Sequence, residues 1–596
     1  MNVTRTFDLL DRMAASFDKE VIIAGKQDGK WKTYSTRQYI EKVNHFSCGL
    51  LFMGVKPGDK IVTVSNSRPE WNIMDMGMAQ IGAVHVALYP NLTEEEYTYL
   101  LAHSDCRAVI VGNRTMYNRL KKVANATDNV EFFFTIDEID NERNLSEICA
   151  LGEKHQDEYQ DKVERIKNGI TADDLLSIIY TSGTTGTAKG VMLAHRNVVS
   201  NAVATSSRNK VGDKDKAISF LPLCHIYERM INYHYQYKGV SIYYAQNLGT
   251  VVNDLRDIQA DTFSTVPRFL EKVYDNIIAK GKDLTGVKKY IFFWAVRLGE
   301  KFEPSKKYGP FYRFKLKLAR KLIFDKWRAA LGGKIRVIIT GGAAMQERLG
   351  RIFSATGISV QEGYGLTETG PVIAVNGWER EEKMIGTVGP ILDGVDCQIA
   401  EDGEILCKGP NVMLGYYKDQ DYTDEVIDEN GWFHTGDIGT LIDGKFLKIT
   451  DRKKSIFKLS AGKYIAPQVI ENKLKASGFI EQALVVGMNE KFAAAIISPA
   501  FDYLHFWAAK HKINYRDNDE LVQNPLVIDR IQKEVAIINK SLAPHEQIKK
   551  IKVVVDEWTP SSGELSQTLK VRRDVLIGNY QAELEEIFGH PHEARQ

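Results

Sequence analysis

Short apolar runs rich in β-branched residues recur along the first two thirds of the chain, at 60–65, 107–112, 175–180, 240–245, 261–266 and 334–340. Several end in Gly, Ser or Thr and lead into stretches with helical spacing, as at 345–356. Buried parallel strands read as continuous apolar runs, and helices between them supply right-handed crossovers. The pattern therefore predicts α/β units on a largely parallel sheet. From about 386 to 450 the texture changes: glycine is frequent and the strands are short, as at 403–407 and 445–449. This predicts a small β subdomain. Beyond 451, two adjacent strand-like runs at 482–486 and 493–498, then helical segments, then a run at 551–555, predict a compact α+β domain. The expected organisation is a large domain over 1–450, with its β subdomain at 386–450, and a smaller one over 451–596.

Composition changes this picture little. The 596 residues are 44% hydrophobic and 26% charged, ordinary for a globular chain, and Lys plus Arg (78) nearly cancels Asp plus Glu (77). A chain so balanced is not built as a whole to bind nucleic acid. The six cysteines have no CxxC spacing, which excludes a zinc ribbon or a thioredoxin-type site and suits a reducing compartment. The first twenty residues carry Asp8, Asp11 and Asp18 and no long apolar stretch. A cytoplasmic protein is expected, with peripheral contact on the inner face of a membrane as an open possibility.

That possibility rests on one segment. Residues 305–336 hold eleven Lys/Arg against the single acid Asp325, a net charge of +10 in a chain whose total is +1. Phe311, Phe314, Leu318 and Leu322 fall at i, i+3, i+7 and i+11. Such a helix either lies on an anionic lipid surface or packs its apolar stripe on the protein core, and the second is the commoner fate.

Five motifs carry chemistry. Tyr180-Thr181-Ser182-Gly183-Thr184-Thr185-Gly186-Thr187-Ala188-Lys189-Gly190 follows an apolar strand and precedes a helix at 195–201. Its glycines let backbone N–H groups face an anion, and five hydroxyls and a lysine add donors and charge, as a polyphosphate requires. It lacks the Walker A offset. Gly363-Tyr364-Gly365-Leu366-Thr367-Glu368-Thr369 places an aromatic between glycines, where it can lie against a nucleobase. Thr367 can bond a phosphate oxygen, and Glu368 is a hard ligand suited to Mg²⁺. Trp432 to Asp437 ends in a carboxylate that can accept two ribose hydroxyls, though taken alone it reads first as a hairpin corner with a buried Trp. A basic run, Asp451-Arg452-Lys453-Lys454, continues to Lys458 and Gly462; by itself such a run marks a solvated face. Lys570 sits in a polar loop near the end of the sequence, which alone says little.

In this order the motifs resemble the adenylate-forming (ANL) superfamily, and within it the AMP-forming long-chain acyl-CoA synthetases. The likeness runs from about Tyr34 to Arg573 and includes Leu221 to Arg229. It implies a two-domain ANL fold with a mobile C-terminal domain hinged at Asp451. It also implies ATP, Mg²⁺ and coenzyme A as cofactors, a fatty acid as substrate, and a homodimer as one possible assembly. By the same likeness Thr181, Ser182, Gly183, Thr184, Thr185, Gly186, Thr187 and Lys189 hold the β,γ-phosphates, and Thr184 and Glu368 the metal. Gly341, Gly342, Ala343, Gly363, Tyr364 and Gly365 line the nucleotide and acyl-carbonyl pocket. Thr367 contacts the α-phosphate, Asp437 and Arg452 grip the ribose, and Lys570 bridges carboxylate and α-phosphate. Lys458 and Gly462 meet coenzyme A after domain rotation. His225 has either a role at the acyl carboxylate or a buried structural one. Tyr227, Met230, Tyr233, Thr265 and Val266 are the expected acyl tunnel. Other readings with the same motifs are a fatty acyl-AMP ligase serving a carrier protein, an amino-acid-activating domain of a peptide synthetase, and a membrane-associated binding module without catalysis.

Overall fold

The computed structural model describes residues 2–27, 29–182, 188–559, 562–565 and 571–590. Two large sheets organise the first part of the chain. One has eight strands, in the order Val372–Val375, Ser359–Gly365, Val337–Thr340, Thr262–Thr265, Lys216–Ser219, Ser241–Tyr244, Ile23–Gln27, Lys30–Tyr34. All neighbours are parallel except the pairs at the two edges. The other has seven strands, in the order Gly415–Tyr416, Ala188–Ala194, Leu175–Ser182, Val84–Leu88, Lys60–Val64, Cys106–Val111, Phe132–Thr135.

One continuous apolar core joins the sheets, with Ile61 and Ile110 from one and Ile242 and Val337 from the other. The helices between them are buried nearly all round. In Pro69–Gln80 every residue but Glu70 is buried, and in Ile226–Lys238 burial is unbroken from Glu228 to Gln236. Their polar residues, Asn72, Asp75 and Gln80 on the first and Glu228, Arg229, Asn232, His234 and Gln236 on the second, are therefore buried with the rest and must find partners inside. The outer faces are covered too: Val251–Ile258, Pro267–Lys282, Gly286–Gly299 and Glu347–Ala355 pack on the eight-stranded sheet, Glu94–Ser104 and Arg114–Asn125 on the other. Covering on both faces is why the parallel strands read as unbroken apolar runs.

The two buried helices carry charge in spite of their surroundings. Asp75 on the first meets Arg229 and Tyr233 on the second, and His85 Nδ1 on the neighbouring strand lies 2.7 Å from Asp75. Thr63 Oγ1 sits 2.7 Å from His85 Nε2, and Arg229 also donates to Ser177 Oγ at 2.6 Å. Burial alone would raise the Asp75 carboxyl; Arg229 and the hydrogen bonds from His85 and Tyr233 hold it at about 2. Burial depresses His85, which leaves it a neutral ring between Thr63 and Asp75. The network fixes helix Ile226–Lys238 against strand Leu175–Ser182.

Three features differ from the sequence expectations. Between the loop and the helix expected at 195–201 the chain adds a strand, Ala188–Ala194, antiparallel to 175–182 with Thr181 opposite Lys189. Helix His195–Thr205 then starts where the expectation placed it. The β subdomain forms a four-stranded antiparallel sheet of Asp396–Ile399, Glu404–Lys408, Phe433–Ile442 and Phe446–Arg452, but Gly415–Tyr416 leaves it to pair with Ala188–Ala194 in the seven-stranded sheet.

The third difference is the apolar stripe of the basic segment, which does not pack on the core. Phe311 is 71% exposed and Phe314 65%, and Leu318 and Leu322 are exposed as well. Helix Pro310–Ala319 instead buries Leu316 and Ala319, and one π turn at Arg320–Phe324 hands over to Asp325–Ala330 with Phe324 and Trp327 buried. The helix has two apolar faces, and the less regular one is inside.

The later part has a three-stranded sheet, Ile480–Val486, Ala493–Pro499 and Ile548–Val553, with apolar clusters on both faces. Among the described residues no helix is long and apolar enough to cross a membrane.

Removing one partner of a buried ion pair strands the other charge, at a cost of about 3–5 kcal/mol. Asp75→Ala is therefore expected to lose stability of that order in urea unfolding; a loss below about 1 kcal/mol, the level of an exposed pair, would show that the network does not hold the helices together.

Candidate active site

The carboxyl ends of the parallel strands in the eight-stranded sheet open into a cavity of 3610 Å³, the position where open α/β sheets bind ligands. Thr181, His225, Gly341, Gly342, Ala343, Gly363, Tyr364, Gly365, Thr367, Glu368, Asp437 and Arg452 all line it. Residues from three sheets thus meet around one space, although 271 positions separate Thr181 from Arg452 in the sequence.

The tightest geometry is at Tyr364. Its hydroxyl donates to Asp437 Oδ2 at 2.7 Å, and Arg452 Nε lies 3.0 Å from the other carboxylate oxygen. Asp437 and Arg452 face each other across paired strands, so the four-stranded sheet presents both at once. Burial first, and then the neighbouring Asp437 carboxylate, push the Tyr364 hydroxyl well above its ordinary range and keep it a neutral donor. The Asp437 carboxylate raises Arg452 further.

The glycines around Tyr364 have a reason the sequence did not supply. A Cβ on Gly365 would lie 1.7 Å from the Pro371 carbonyl oxygen, so this glycine is required by its own hairpin rather than by a ligand. Across the cavity Gly341 packs near the Gly363 carbonyl and the Tyr227 ring, and Gly342 turns with φ +79°. Glu362, just before the motif, accepts the Met345 N–H at 3.0 Å and is pushed by burial up to about 7. Sequence reasoning missed it, since a lone Glu beside a glycine motif gives no signal.

Thr367 opens the short 3₁₀ turn Thr367–Thr369. Glu368 accepts the Tyr416 hydroxyl at 2.8 Å, and its backbone carbonyl accepts Met413 N–H. Tyr416 was also invisible beforehand, because it reaches the site through a strand that left the β subdomain. Lys189 is not in the cavity wall. Its Nζ is 3.3 Å from Asp419 Oδ2 and lies over the Tyr422 ring. His225 caps helix Ile226–Lys238, its Nδ1 accepting Tyr227 N–H at 3.1 Å.

Tyr227, Met230 and Val266 line the cavity as expected of an acyl tunnel, but Tyr233 and Thr265 do not. Tyr233 belongs to the Asp75–Arg229 network, and Thr265 is a fully buried strand end. Lys458 and Gly462 lie outside the cavity, in a small turn where Gly462 N–H donates to Leu459. Gly183, Thr184, Thr185, Gly186, Thr187 and Lys570 lie outside the described residues, as does the side chain of Ser182. The flanks of the Lys570 loop are described: Leu565 and Val571 pair with each other and both line the cavity.

Asp451 is fully buried. It accepts Arg452 N–H at 2.7 Å and Gln468 N–H at 2.9 Å, the latter in the first turn of helix Pro467–Leu474. Burial nevertheless raises its carboxyl to about 6.

Among the described residues no three His, Cys, Asp or Glu side chains gather as a metal cage. The donor set fits Mg²⁺ even so, because that ion takes one or two carboxylates and completes its shell with substrate phosphates and water. Glu368 provides such a carboxylate.

A cavity bounded by the hydroxyl–carboxylate–guanidinium chain of Tyr364, Asp437 and Arg452, with Thr181 in the same wall, suits a nucleotide-binding enzyme. Residues 10–417 match the family model described as AMP-binding enzyme, and 454–591 match that of the AMP-binding enzyme C-terminal domain. The chain belongs to the AMP-binding enzyme family, in its long-chain-fatty-acid–CoA ligase branch. It is 30% identical over 575 residues to the long-chain-fatty-acid–CoA ligase FadD15 of Mycobacterium bovis, covering 94% of this chain and 93% of that one. It is 32% identical over 594 residues to the long-chain-fatty-acid–CoA ligase 5 of Mus musculus, covering 94% and 85%. The adenylation domain of carboxylic acid reductase from Segniliparus rugosus, solved with AMP and a co-purified carboxylic acid, shares the fold, with TM-score 0.73 at 19% identity over 98% of this chain and 94% of that one.

The elevated Asp451 carboxyl has a consequence for stability. The folded chain holds that proton more tightly than the unfolded chain, so stability falls as pH rises from the unfolded value of 3.8 to about 6. In urea unfolding across that window, Asp451→Asn is expected to lack this fall; equal pH profiles for both proteins would assign it elsewhere.

Proposed function

We propose that the protein joins a long-chain fatty acid to coenzyme A through an acyl-adenylate. A carboxylate oxygen of the fatty acid attacks the α-phosphorus of ATP; the bond to the bridging oxygen breaks and pyrophosphate leaves. The thiol of coenzyme A, losing its proton, then attacks the acyl carbon, and AMP leaves. The observation that carries this reading is the Tyr364–Asp437–Arg452 chain in the same cavity as Gly341 and Tyr227, supported by the ligase names of the relatives.

Tyr364 presents its ring to adenine while its hydroxyl steadies Asp437, whose remaining lone pairs accept the ribose hydroxyls with Arg452 alongside. Thr367 contacts the α-phosphate, and His225 stands at the acyl carboxylate. Thr181 and the loop from Ser182 to Thr187 receive the β,γ-phosphates. Lys189 joins them by leaving Asp419 and the Tyr422 ring, a partly buried pairing that the phosphates would have to replace. Glu368 and Thr184 would hold Mg²⁺, which would supply positive charge to the phosphate oxygens. Lys570 neutralises charge that grows between carboxylate and α-phosphate in the transition state, which raises the rate rather than the affinity. Residues 451–596 turn about Asp451 for the second step, bringing Lys458 and Gly462 to the coenzyme A arm. Delivery to coenzyme A rather than to a carrier protein is the acceptor that the relatives' names favour.

The substrate side of this reading includes a lipid surface. Of the fourteen exposed large apolar side chains among the described residues, six, namely Val287, Tyr290, Phe311, Phe314, Leu318 and Leu322, lie on helices Gly286–Gly299 and Pro310–Ala319 and the π turn after them. They stand among Lys288, Lys289, Lys315 and Lys317. An amphipathic face of this kind binds anionic headgroups and inserts its rings beneath them.

With palmitate, ATP and Mg²⁺, the protein is expected to release pyrophosphate, and on addition of coenzyme A to form palmitoyl-CoA and AMP. Lys570→Ala should slow pyrophosphate release by at least about 10²-fold, as for loss of one transition-state donor, while thioester formation from preformed palmitoyl-adenylate suffers less. Release at the wild-type rate in that variant would refute the assignment. The protein should also co-sediment with phosphatidylglycerol vesicles at low salt, and Phe311→Ser/Phe314→Ser should abolish this; no sedimentation of the wild type would remove the lipid surface from the reading.

A further inference from the structure

Glu368 can serve a metal ion only if its carboxylate is held in place, because a ligand is oriented by its own hydrogen-bond partners. Its backbone is set by its own turn. The Glu368 carbonyl accepts Met413 N–H at 2.9 Å, and Asn411 Nδ2 donates to the Thr369 carbonyl at 3.1 Å. Its side chain is set from elsewhere: the Tyr416 hydroxyl donates to Glu368 Oε1 at 2.8 Å. Burial first, and then the Glu368 carboxylate, push that hydroxyl far above its ordinary range, so it stays a donor. Glu368 lines the cavity, whereas Tyr416 does not and is 6% exposed. The hydroxyl thus acts through Glu368: it occupies one carboxylate oxygen and leaves the other available to an ion.

Tyr416 is held as firmly as it holds. Strand Gly415–Tyr416 pairs with Met192 and Val191, on the return strand that follows the phosphate loop. Tyr416 N–H donates to Thr423 Oγ1 at 2.9 Å, and that hydroxyl donates on to the Asp419 carbonyl at 2.8 Å. A Cβ on Gly415 would lie 2.8 Å from Thr423 Cγ2, so glycine is what lets the strand approach helix Gln420–Val426 this closely. The Tyr416 ring lies 5.0 Å from that of Tyr422, and Lys189 Nζ stands over both. Tyr416 therefore belongs to the frame of the hairpin. Through one hydroxyl it ties Glu368, 48 positions away in the sequence, to the segment that the ligase reading gives to the polyphosphate.

We propose that Tyr416 is a positioning residue for the metal ion: its hydroxyl orients Glu368 and fixes that ligand to the hairpin of the phosphate loop, so that ion and polyphosphate are received in one frame. This deepens the ligase reading and rests on it for the role of Glu368, so the test measures binding apart from turnover. The probe is α,β-methylene-ATP, in which the bond broken in the first step is blocked. Calorimetric titration of the full chain with it, once in saturating Mg²⁺ and once in EDTA, is expected to show tighter binding with Mg²⁺ in the wild type. Tyr416→Phe should raise the Kd in Mg²⁺ at least about tenfold, the usual effect of losing a partner behind a ligand, while the Kd in EDTA stays within about twofold. A residue that merely shaped the pocket would weaken both alike. Glu368→Gln should lose the Mg²⁺ effect, and adding Tyr416→Phe to it should change nothing further, because the two residues act as one chain. The EDTA titration also reports that the Phe variant is folded. Thr423→Val, which frees the Tyr416 backbone, should shift the Mg²⁺ titration in the same direction and decides the matter if it is not. The wild-type Kd in Mg²⁺ for Tyr416→Phe, equal losses in Mg²⁺ and EDTA, or wild-type binding that ignores Mg²⁺ would each overturn the proposal. Palmitoyl-CoA formation, scored separately, bears on the ligase reading alone.

Discussion

The carboxylate of Asp437 ties together the parts that make the site. It is held on one side by Tyr364 from the eight-stranded sheet and on the other by Arg452, its own neighbour across the four-stranded sheet. Arg452 is the last residue of its strand, and Asp451 before it is bonded to the helix that begins the later part of the chain. One hydrogen bond and one ion pair therefore orient the small sheet against the large one and set where the chain departs. Without them Tyr364 would lose the partner that holds its hydroxyl, and the crevice beside Gly363 its boundary.

A second constraint acts deeper. The two sheets are joined by helices with no solvent-facing side, and apolar packing alone gives such helices little direction, because apolar contact is non-directional. Asp75, Arg229, Tyr233 and His85 supply direction. They set the register of helix Ile226–Lys238, and hence the place of His225 at its start and of Tyr227 and Met230 in the cavity wall. A buried polar network costs desolvation, which is repaid only when every member is paired. Here each of the four has a partner, and the Asp75 carboxyl is held at about 2.

The exposed stripe at Phe311, Phe314, Leu318 and Leu322 shows the limit of periodicity. The spacing correctly marked a helix with an apolar face. It did not say which of two apolar faces would turn inward, because Leu316, Ala319, Phe324 and Trp327 also form a row once the π turn shifts the phase. Burial was decided by the fit against helix Gly286–Gly299 and its neighbours, which lie outside the segment.

The alternation of apolar runs and helical spacings determined the α/β architecture, since strands covered on both faces must be apolar throughout. The order of the motifs, through the family resemblance, likewise pointed to the glycine-rich loop, Tyr364, Thr367, Glu368, Asp437 and Arg452, because each lies in a motif that is local in the chain. What belonged to tertiary structure was every relation between distant segments. The return strand after the loop, the departure of Gly415–Tyr416 with Tyr416 to reach Glu368, the pairing of Lys189 with Asp419, and the buried Asp75–Arg229 network all join residues far apart in the chain. Local propensity carries no information about such partners; they are selected when the sheets close on a shared core and each buried polar group must find its complement.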